Sequence, residues 1–386
     1  MENTSFSGRI GIIQRVLPAY RAEFFDRLSS FCPGGVEVFA GTPLSGEGIH
    51  VVSRLDRARL RPAENRHIGR GRAYFCWQSG AAAWLGEWRP DVLVLEANPR
   101  LLSNRSAIRA MRAEAKPVIG WGLGVLDWGG AGWLQGFRRS HLEACFARFD
   151  ALIAYSRKGA RDYESLGVPP ERIFLAPNAV SQESAERMRE RIEKPPDLLS
   201  RWKKDRGLSN SPAVLFVGRL TGQKRVGDLL RACAAVSVPC ELLIVGDGPE
   251  RSRLEAEARE VFPGARFLGH QTGEELACCF AAADLFVLPG QGGLAVQEAM
   301  AFGKAIVAGE GDGSMDDLVR EGENGFQVKP GDIGALAGAI ERCVGDISAL
   351  ERMGAESRRI VEDEINLGAM VRAFVHALNR VCGELG

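Results

Sequence analysis

The sequence predicts an α/β architecture, two doubly wound domains in tandem with a ligand cleft between them, and three observations carry that expectation. The chain has 386 residues, 45% of them apolar and 25% charged, which is ordinary globular composition and enough for two domains that each bury a core. Short β-branched or leucine-rich runs alternate with helical patterns from end to end, as a parallel sheet with crossover helices requires. The alternation breaks once, over 180–211, a charged stretch that contains Glu193-Lys-Pro-Pro196. That stretch reads as an interdomain connection carrying a helix over 182–193.

Element by element, a strand over 9–13 opens the chain, followed by an amphipathic stretch over 22–29 with Phe24, Phe25 and Leu28 on one face. Further strands are expected over 36–40, 92–95, 117–120, 151–155 and 173–176, with helices over 79–87 and 102–115. The second series has strands over 213–217, 241–245, 265–267, 285–288, 305–308 and 325–328, each followed by a helical pattern. The segment 361–385 places Ile365, Met370, Phe374 and Leu378 on one helical stripe and is expected to form a long amphipathic helix.

Composition excludes several classes. The apolar runs are about four residues long, far below the ~20 needed to span a bilayer, and residues 1–8 are polar, so a soluble, intracellular chain is expected. Nine cysteines lack CxxC or Cys/His ligand spacing, and five histidines are scattered, so neither a disulfide frame nor a metal site is expected. Zero net charge argues against nucleic acid as a partner. The charge is nevertheless divided, with +7 over residues 1–195, mostly arginine, and −7 over the rest. This is either a solvated surface or an N-terminal domain that meets an anionic acceptor or an acidic membrane face.

Three constellations could carry chemistry. In Val214-Leu-Phe-Val-Gly218 a buried strand ends, and Arg219 and Lys224 occupy the loop before the next helix. Cations there suit a pyrophosphate; the alternative is a solvated loop. In Leu242-Leu-Ile-Val-Gly246-Asp-Gly248 a strand closes on glycines that let backbone approach a ligand. In Leu285-Phe-Val-Leu-Pro-Gly290-Gln-Gly292-Gly293-Leu294 a strand runs into a glycine loop whose N–H groups could cradle an anion. Glu298 then sits about one turn inside a helix, either to accept from a vicinal diol such as ribose or as a first-turn acid favoured by the helix dipole. Glu96-Ala-Asn-Pro-Arg100 follows a buried strand and serves either as a turn or in acceptor binding and general-base work by Glu96. Trp121, Trp128 and Trp133 are core residues or a stacking platform.

Taken in order, these motifs, with Phe267-Leu-Gly269-His270, Glu298-Ala-Met-Ala-Phe-Gly-Lys304 and Glu321-Gly-Glu-Asn-Gly-Phe326, closely resemble the C-terminal domain of family 4 glycosyltransferases over about 213–345. The N-terminal half is similar more loosely, through Pro18-Ala-Tyr-Arg21, Lys116-Pro-Val-Ile-Gly-Trp-Gly-Leu-Gly124 and Ala176-Pro-Asn-Ala179. The resemblance implies a GT-B fold, two Rossmann-like domains facing a central cleft. Residues 1–178 would bind the acceptor, completed by a C-terminal helix over 363–386; 179–212 would be a linker, and 213–362 would bind the nucleotide sugar. It implies sugar transfer with retention from a nucleotide-diphosphate sugar to a hydroxyl of a glycan, lipid-linked or small-molecule acceptor, with no metal and no cofactor. A cytoplasmic protein is expected, and the divided charge leaves open whether or not it also makes peripheral contact with the inner face of the cell membrane. Arg219 and Lys224 would bind the pyrophosphate; backbone around Gly269 and His270 the base; Glu298 the ribose hydroxyls. Gly292, Gly293 and Leu294 would contact phosphate and sugar, with Gly218, Gly246 and Gly248 shaping the donor site.

Two positions depart from the family pattern. Its Glu-x7-Glu pair would put an acid at position 290, where this chain has Gly290, so that contact is lost or supplied by a group such as Gln291. Leu123 stands where related sequences can carry a histidine, and Glu96 and Asp127 are the candidates for its polar role. A dehydrogenase fails because Gly120-Trp-Gly-Leu-Gly124 follows a late strand and not the first one. The alternatives are a catalytically degenerate sugar-nucleotide-binding protein and a GT-B sugar-nucleotide epimerase.

Overall fold

The computed structural model describes residues 5–47, 49–125, 132–194, 197–209, 211–292, 294–311 and 313–383. Two compact units result, the first made of Met1–Val180 with Leu367–Gly386 and the second of Ser181–Asn366.

In the first unit the strands are β1 (Ile10–Val16), β2 (Val36–Gly41), β3 (Arg59–Pro62), β4 (Glu64–Ile68), β5 (Phe75–Ser79), β6 (Val92–Glu96), β7 (Val118–Gly122), β8 (Ala151–Ala154) and β9 (Ile173–Leu175). Among the described residues they form a parallel sheet of order β3-β2-β1-β6-β7-β8-β9, while β4 and β5 pair antiparallel as a separate ribbon. Ile10–Ile13 of β1 lie between Val36–Phe39 of β2 and Val92–Leu95 of β6, and both faces of these central strands are covered. Continuous apolar runs are the consequence, and they made these strands readable. The sequence reading missed β3, β4 and β5, for a physical reason. β3 is an edge strand whose residues are largely exposed, and β4 alternates exposed and half-buried residues with no fully buried face.

The helix Ala22–Ser30 buries Phe24, Phe25 and Leu28, as its periodicity predicts. The long terminal helix expected from 361 is interrupted. A π-helical turn, Ile360–Glu364, follows the helix Ile347–Arg359, Ile365 takes a non-helical conformation, and the last helix begins at Leu367 and runs to Gly383. This last helix belongs to the first unit, where Phe374 is fully buried, its ring 4.9 Å from that of Phe24 and 4.8 Å from that of Trp121. Asn379 Nδ2 donates to the Ser5 carbonyl at 3.0 Å and so ties the two ends of the chain together.

The second unit contains β10 (Ala213–Val217), β11 (Glu241–Val245), β12 (Ala265–Gly269), β13 (Leu285–Leu288), β14 (Ala305–Gly309) and β15 (Gly325–Val328). Their order, β12-β11-β10-β13-β14-β15, is the doubly wound order with its switch point between β10 and β13. The connection carries two helices, Glu183–Glu193 and Leu198–Asp205. The second went unpredicted because it is short and charged; it is anchored by the buried Trp202, whose Nε1 donates to Glu275 at 2.9 Å. Cys278 and Cys279 are buried in the helix Gly273–Ala282, packed as small apolar side chains. Among the described residues no helix is long and apolar enough to cross a membrane.

Candidate functional site

At the carboxyl edge of the second unit's sheet, successive strand-end loops hydrogen-bond to one another. Gly218 N donates to Val245 O (3.0 Å), Leu220 N to Asp247 O (2.9 Å), Gly246 N to Gly269 O (2.8 Å) and Gln291 N to Gln223 O (3.1 Å). The loops after β10, β11, β12 and β13 therefore make one continuous seam beside the switch point. Two glycines are required by the closeness of this packing. A Cβ at Gly246 would lie 1.9 Å from Gly218 O, and one at Gly290 would lie 2.1 Å from Gln223 O and 2.7 Å from Lys224 C. The Gly290 departure is thereby explained: the loop rests directly on the backbone before Lys224, and no side chain fits there.

Lys224 ends a short 3-10 turn, Gly222–Lys224, and its ammonium donates to the Gln291 carbonyl. Among the described residues no carboxylate pairs with it, and burial lowers its pKa. A Cβ at Gly292 would meet its Nζ at 2.1 Å, so the glycine loop lies against the charge. Arg219 is exposed on the same loop. The next helix, Leu294–Ala301, starts just after the glycine loop and carries Glu298 as its fifth residue, with no acid in its first turn. Glu298 therefore lies past the first turn, where the helix dipole has little hold on a carboxylate. The carboxyl is half-buried, has no hydrogen-bond partner among the described residues, and has its pKa raised by burial. A carboxylate in that state gains from a donor such as a diol.

Gly218, Lys224, Gly246, Gly248, Gly269, Gly292, Leu294 and Glu298 thus belong to one sheet edge, with exposed His270 next to the end of β12. Gly293 and Asp127 lie outside the described residues, as does Trp128; so does the side chain of Trp133.

Glu96 belongs to the first unit. It ends β6 beside Trp121 of β7, and its Oε1 accepts from Arg15 N at 2.6 Å. Burial raises its pKa, while Arg15 and Arg21 oppose the shift. Glu96, Trp121, Leu123, Val125 and Tyr155 are among the residues that line a cavity of about 130 Å³. Sequence reasoning missed Tyr155, which lines the cavity, and Arg21, whose guanidinium lies 5.1 Å from the centroid of the Tyr155 ring. The only signal was Arg21's place in the Pro18-Ala-Tyr-Arg21 motif just after β1. Among the described residues no group of three or more His, Cys, Asp or Glu is arranged to hold a metal ion.

Two family models match the chain. One described as "Glycosyl transferases group 1" covers residues 211–346, and one described as "Glycosyl transferase 4-like domain" covers residues 17–179. The chain is similar to the sulfoquinovosyl transferase SQD2 of Arabidopsis thaliana, 31% identical over 40% of this chain and 31% of that protein. It is also similar to a GDP-mannose-dependent alpha-mannosyltransferase of Corynebacterium glutamicum, 36% identical over 39% of this chain and 36% of that protein. The chain thus spans about a third of the length of these relatives. Among solved structures it resembles HepE of Anabaena in complex with UDP, with a TM-score of 0.71 and 18% identity over 96% of this chain and 99% of that one. This likeness shows the α/β GT-B fold.

Proposed function

Because the chain belongs to the family 4 glycosyltransferases, we propose that it transfers a sugar, with retention, from a nucleotide-diphosphate sugar to a hydroxyl of a glycan, lipid-linked or small-molecule acceptor. One observation carries this reading: at the switch point of the second unit, a lysine with no carboxylate partner among the described residues lies against a glycine loop, with the partly buried Glu298 in the helix that follows. Lys224, Arg219 and backbone N–H groups would stabilise the charge that develops on the leaving diphosphate, in place of a metal ion. Glu298 would accept from the ribose hydroxyls. Glu96 would receive the acceptor proton. The UDP held by the HepE structure and the GDP-mannose in the relative's name support a nucleotide-sugar donor and leave the base open.

The test is a thermal-shift screen of nucleoside diphosphates and their sugars, followed by assays of donor hydrolysis and transfer. A ligand at 100 times its dissociation constant adds ~2.7 kcal/mol of stability. Turnover in excess EDTA should stay within about twofold of the untreated rate, since a catalytic metal contributes several kcal/mol. The product should keep the donor's anomeric configuration by NMR. Stabilisation by no diphosphate would sink the reading. Gly290 in place of the family's first glutamate favours a second reading, a sugar-nucleotide binder without turnover. Donor binding with neither hydrolysis nor transfer would establish it.

A further inference from the structure

The cavity of about 130 Å³ in the first unit has mostly apolar walls. Ala97 and Pro99 follow β6, Leu123 and Val125 follow β7, and Leu142 and Phe146 come from the helix Gly132–Phe146. It lies at the carboxyl edge of the sheet, where doubly wound folds take their ligands. Hydrogen bonds between the strand-end loops fix the walls: Ala97 N donates to Trp121 O at 2.9 Å, and Tyr155 N donates to Gly122 O at 3.0 Å. Several polar groups around the cavity are already engaged. Gly124 N donates to the Tyr163 hydroxyl (3.2 Å), Val125 N to Asp162 (3.2 Å) and Arg100 N to Asn98 Oδ1 (3.1 Å), while Arg21 donates to the Tyr155 hydroxyl. Trp121 Nε1 lacks an acceptor and is sealed within the wall. Leu123 puts an isobutyl group where the family pattern allows a histidine. Glu96 differs from the rest: it is half-buried, its Oε1 accepts from Arg15 N, and its second oxygen has no partner among the described residues. An apolar cavity of about 150 Å³ takes up a benzene ring and is otherwise dry. This one has nearly that size, with one carboxylate oxygen to spare.

We propose that this cavity receives an apolar group carried by the acceptor, an aromatic ring or a short aliphatic segment, beside the hydroxyl that meets Glu96. The acceptor is then an amphiphilic alcohol and not an unsubstituted glycan. A hydrocarbon group gains by leaving water for such walls, whereas the hydroxyls of a bare sugar would give up their hydrogen bonds to water there with few replacements. The proposal rests on the reading that the first unit receives the acceptor, and it deepens that reading by naming the substrate class.

The test titrates the full chain with para-fluorobenzyl alcohol, followed by its fluorine NMR signal, in the parent, in Leu142→Trp, which fills the cavity, and in Leu123→Asn, which makes its wall polar. Binding to the parent should be saturable, and benzyl alcohol should displace the probe where glycerol at the same concentration does not. Each variant should weaken the Kd at least about tenfold, the scale of burying roughly two methylene groups. Absence of saturable binding, displacement by glycerol as effective as by benzyl alcohol, or an unchanged Kd in a folded variant overturns the proposal. If Leu142→Trp fails to fold by circular dichroism, Leu123→Asn decides, since asparagine has nearly the shape of leucine. The measurement involves no donor. A chain that binds the probe but no nucleotide diphosphate would therefore lose the donor reading and keep this site, and one that binds a diphosphate but not the probe would lose only this site.

Discussion

The ammonium of Lys224 donates to the main-chain carbonyl of Gln291, which fastens the loop after β10 to the glycine loop after β13 across the switch point of the second sheet. A cation held on a carbonyl stays uncompensated, and burial makes its charged form costly. A diphosphate bound there, as proposed, would relieve that cost.

Replacing either loop cation should therefore penalise the diphosphate specifically. Lys224→Ala and Arg219→Ala should each weaken nucleotide-diphosphate binding by about 1.5–3 kcal/mol while nucleoside binding changes little. Isothermal calorimetry checks this, and equal affinities for mutant and parent would refute the site.

Glu298 pays a desolvation cost in the ligand-free protein, because burial raises its pKa and no partner among the described residues offsets it. With the folded pKa above the unfolded one, that cost is full at pH above the raised value and vanishes as pH falls below the unfolded value. Glu298→Gln should thus raise Tm slightly at neutral pH, with no gain in acid. The same variant should weaken donor binding whatever sugar is attached. Normal affinity for the bare nucleotide diphosphate with rejection of the sugar conjugate alone would show that Glu298 acts on the sugar and not on the ribose.

Glu96 should behave as the base. Glu96→Gln should lower kcat by 10²–10⁴-fold, about 2.7–5.4 kcal/mol of barrier, with donor affinity unchanged. Because its pKa is raised by burial, the parent's rate should fall with pH from a point above the usual carboxylate range. A kcat within about threefold of parent, unimproved by Leu123→His, would point to the departing phosphate as the base.

Phe374 joins the terminal helix to Phe24 and Trp121 in the first unit. Phe374→Ala should cost about 3–5 kcal/mol by emptying a fully buried site. Scanning calorimetry should show the loss in the transition of the first unit, while nucleotide-diphosphate binding below that transition is retained. Unchanged melting would mean that the helix is an ornament to the core.

Most of the strands could be read in advance because a parallel strand buried on both faces, such as Val92–Glu96 or Leu285–Leu288, must be apolar throughout. Edge strand β3 and the ribbon β4–β5 have no such obligation, and they stayed hidden. The positions proposed for the donor side were equally legible as positions, since glycines and cations at strand ends keep a fixed place in the chain. Glu298 was legible in position and not in state, because its raised pKa comes from neighbours that the local sequence does not name.

By itself, then, the sequence determined the repeated α/β pattern, the switch-point loops with Arg219 and Lys224, and the helix that carries Glu298. These are local matters of spacing, a few residues on either side of a strand end. Only the tertiary structure decided why position 290 is glycine, since the obstruction is the backbone of Gln223 and Lys224, more than sixty residues earlier in the chain. It alone brought Phe374 onto Phe24 and stacked Arg21 on Trp121 and Tyr155. A charge buried against aromatic faces is a property of an assembled environment: Trp121 and Tyr155, from two distant chain segments, must meet Arg21 before that environment exists at all.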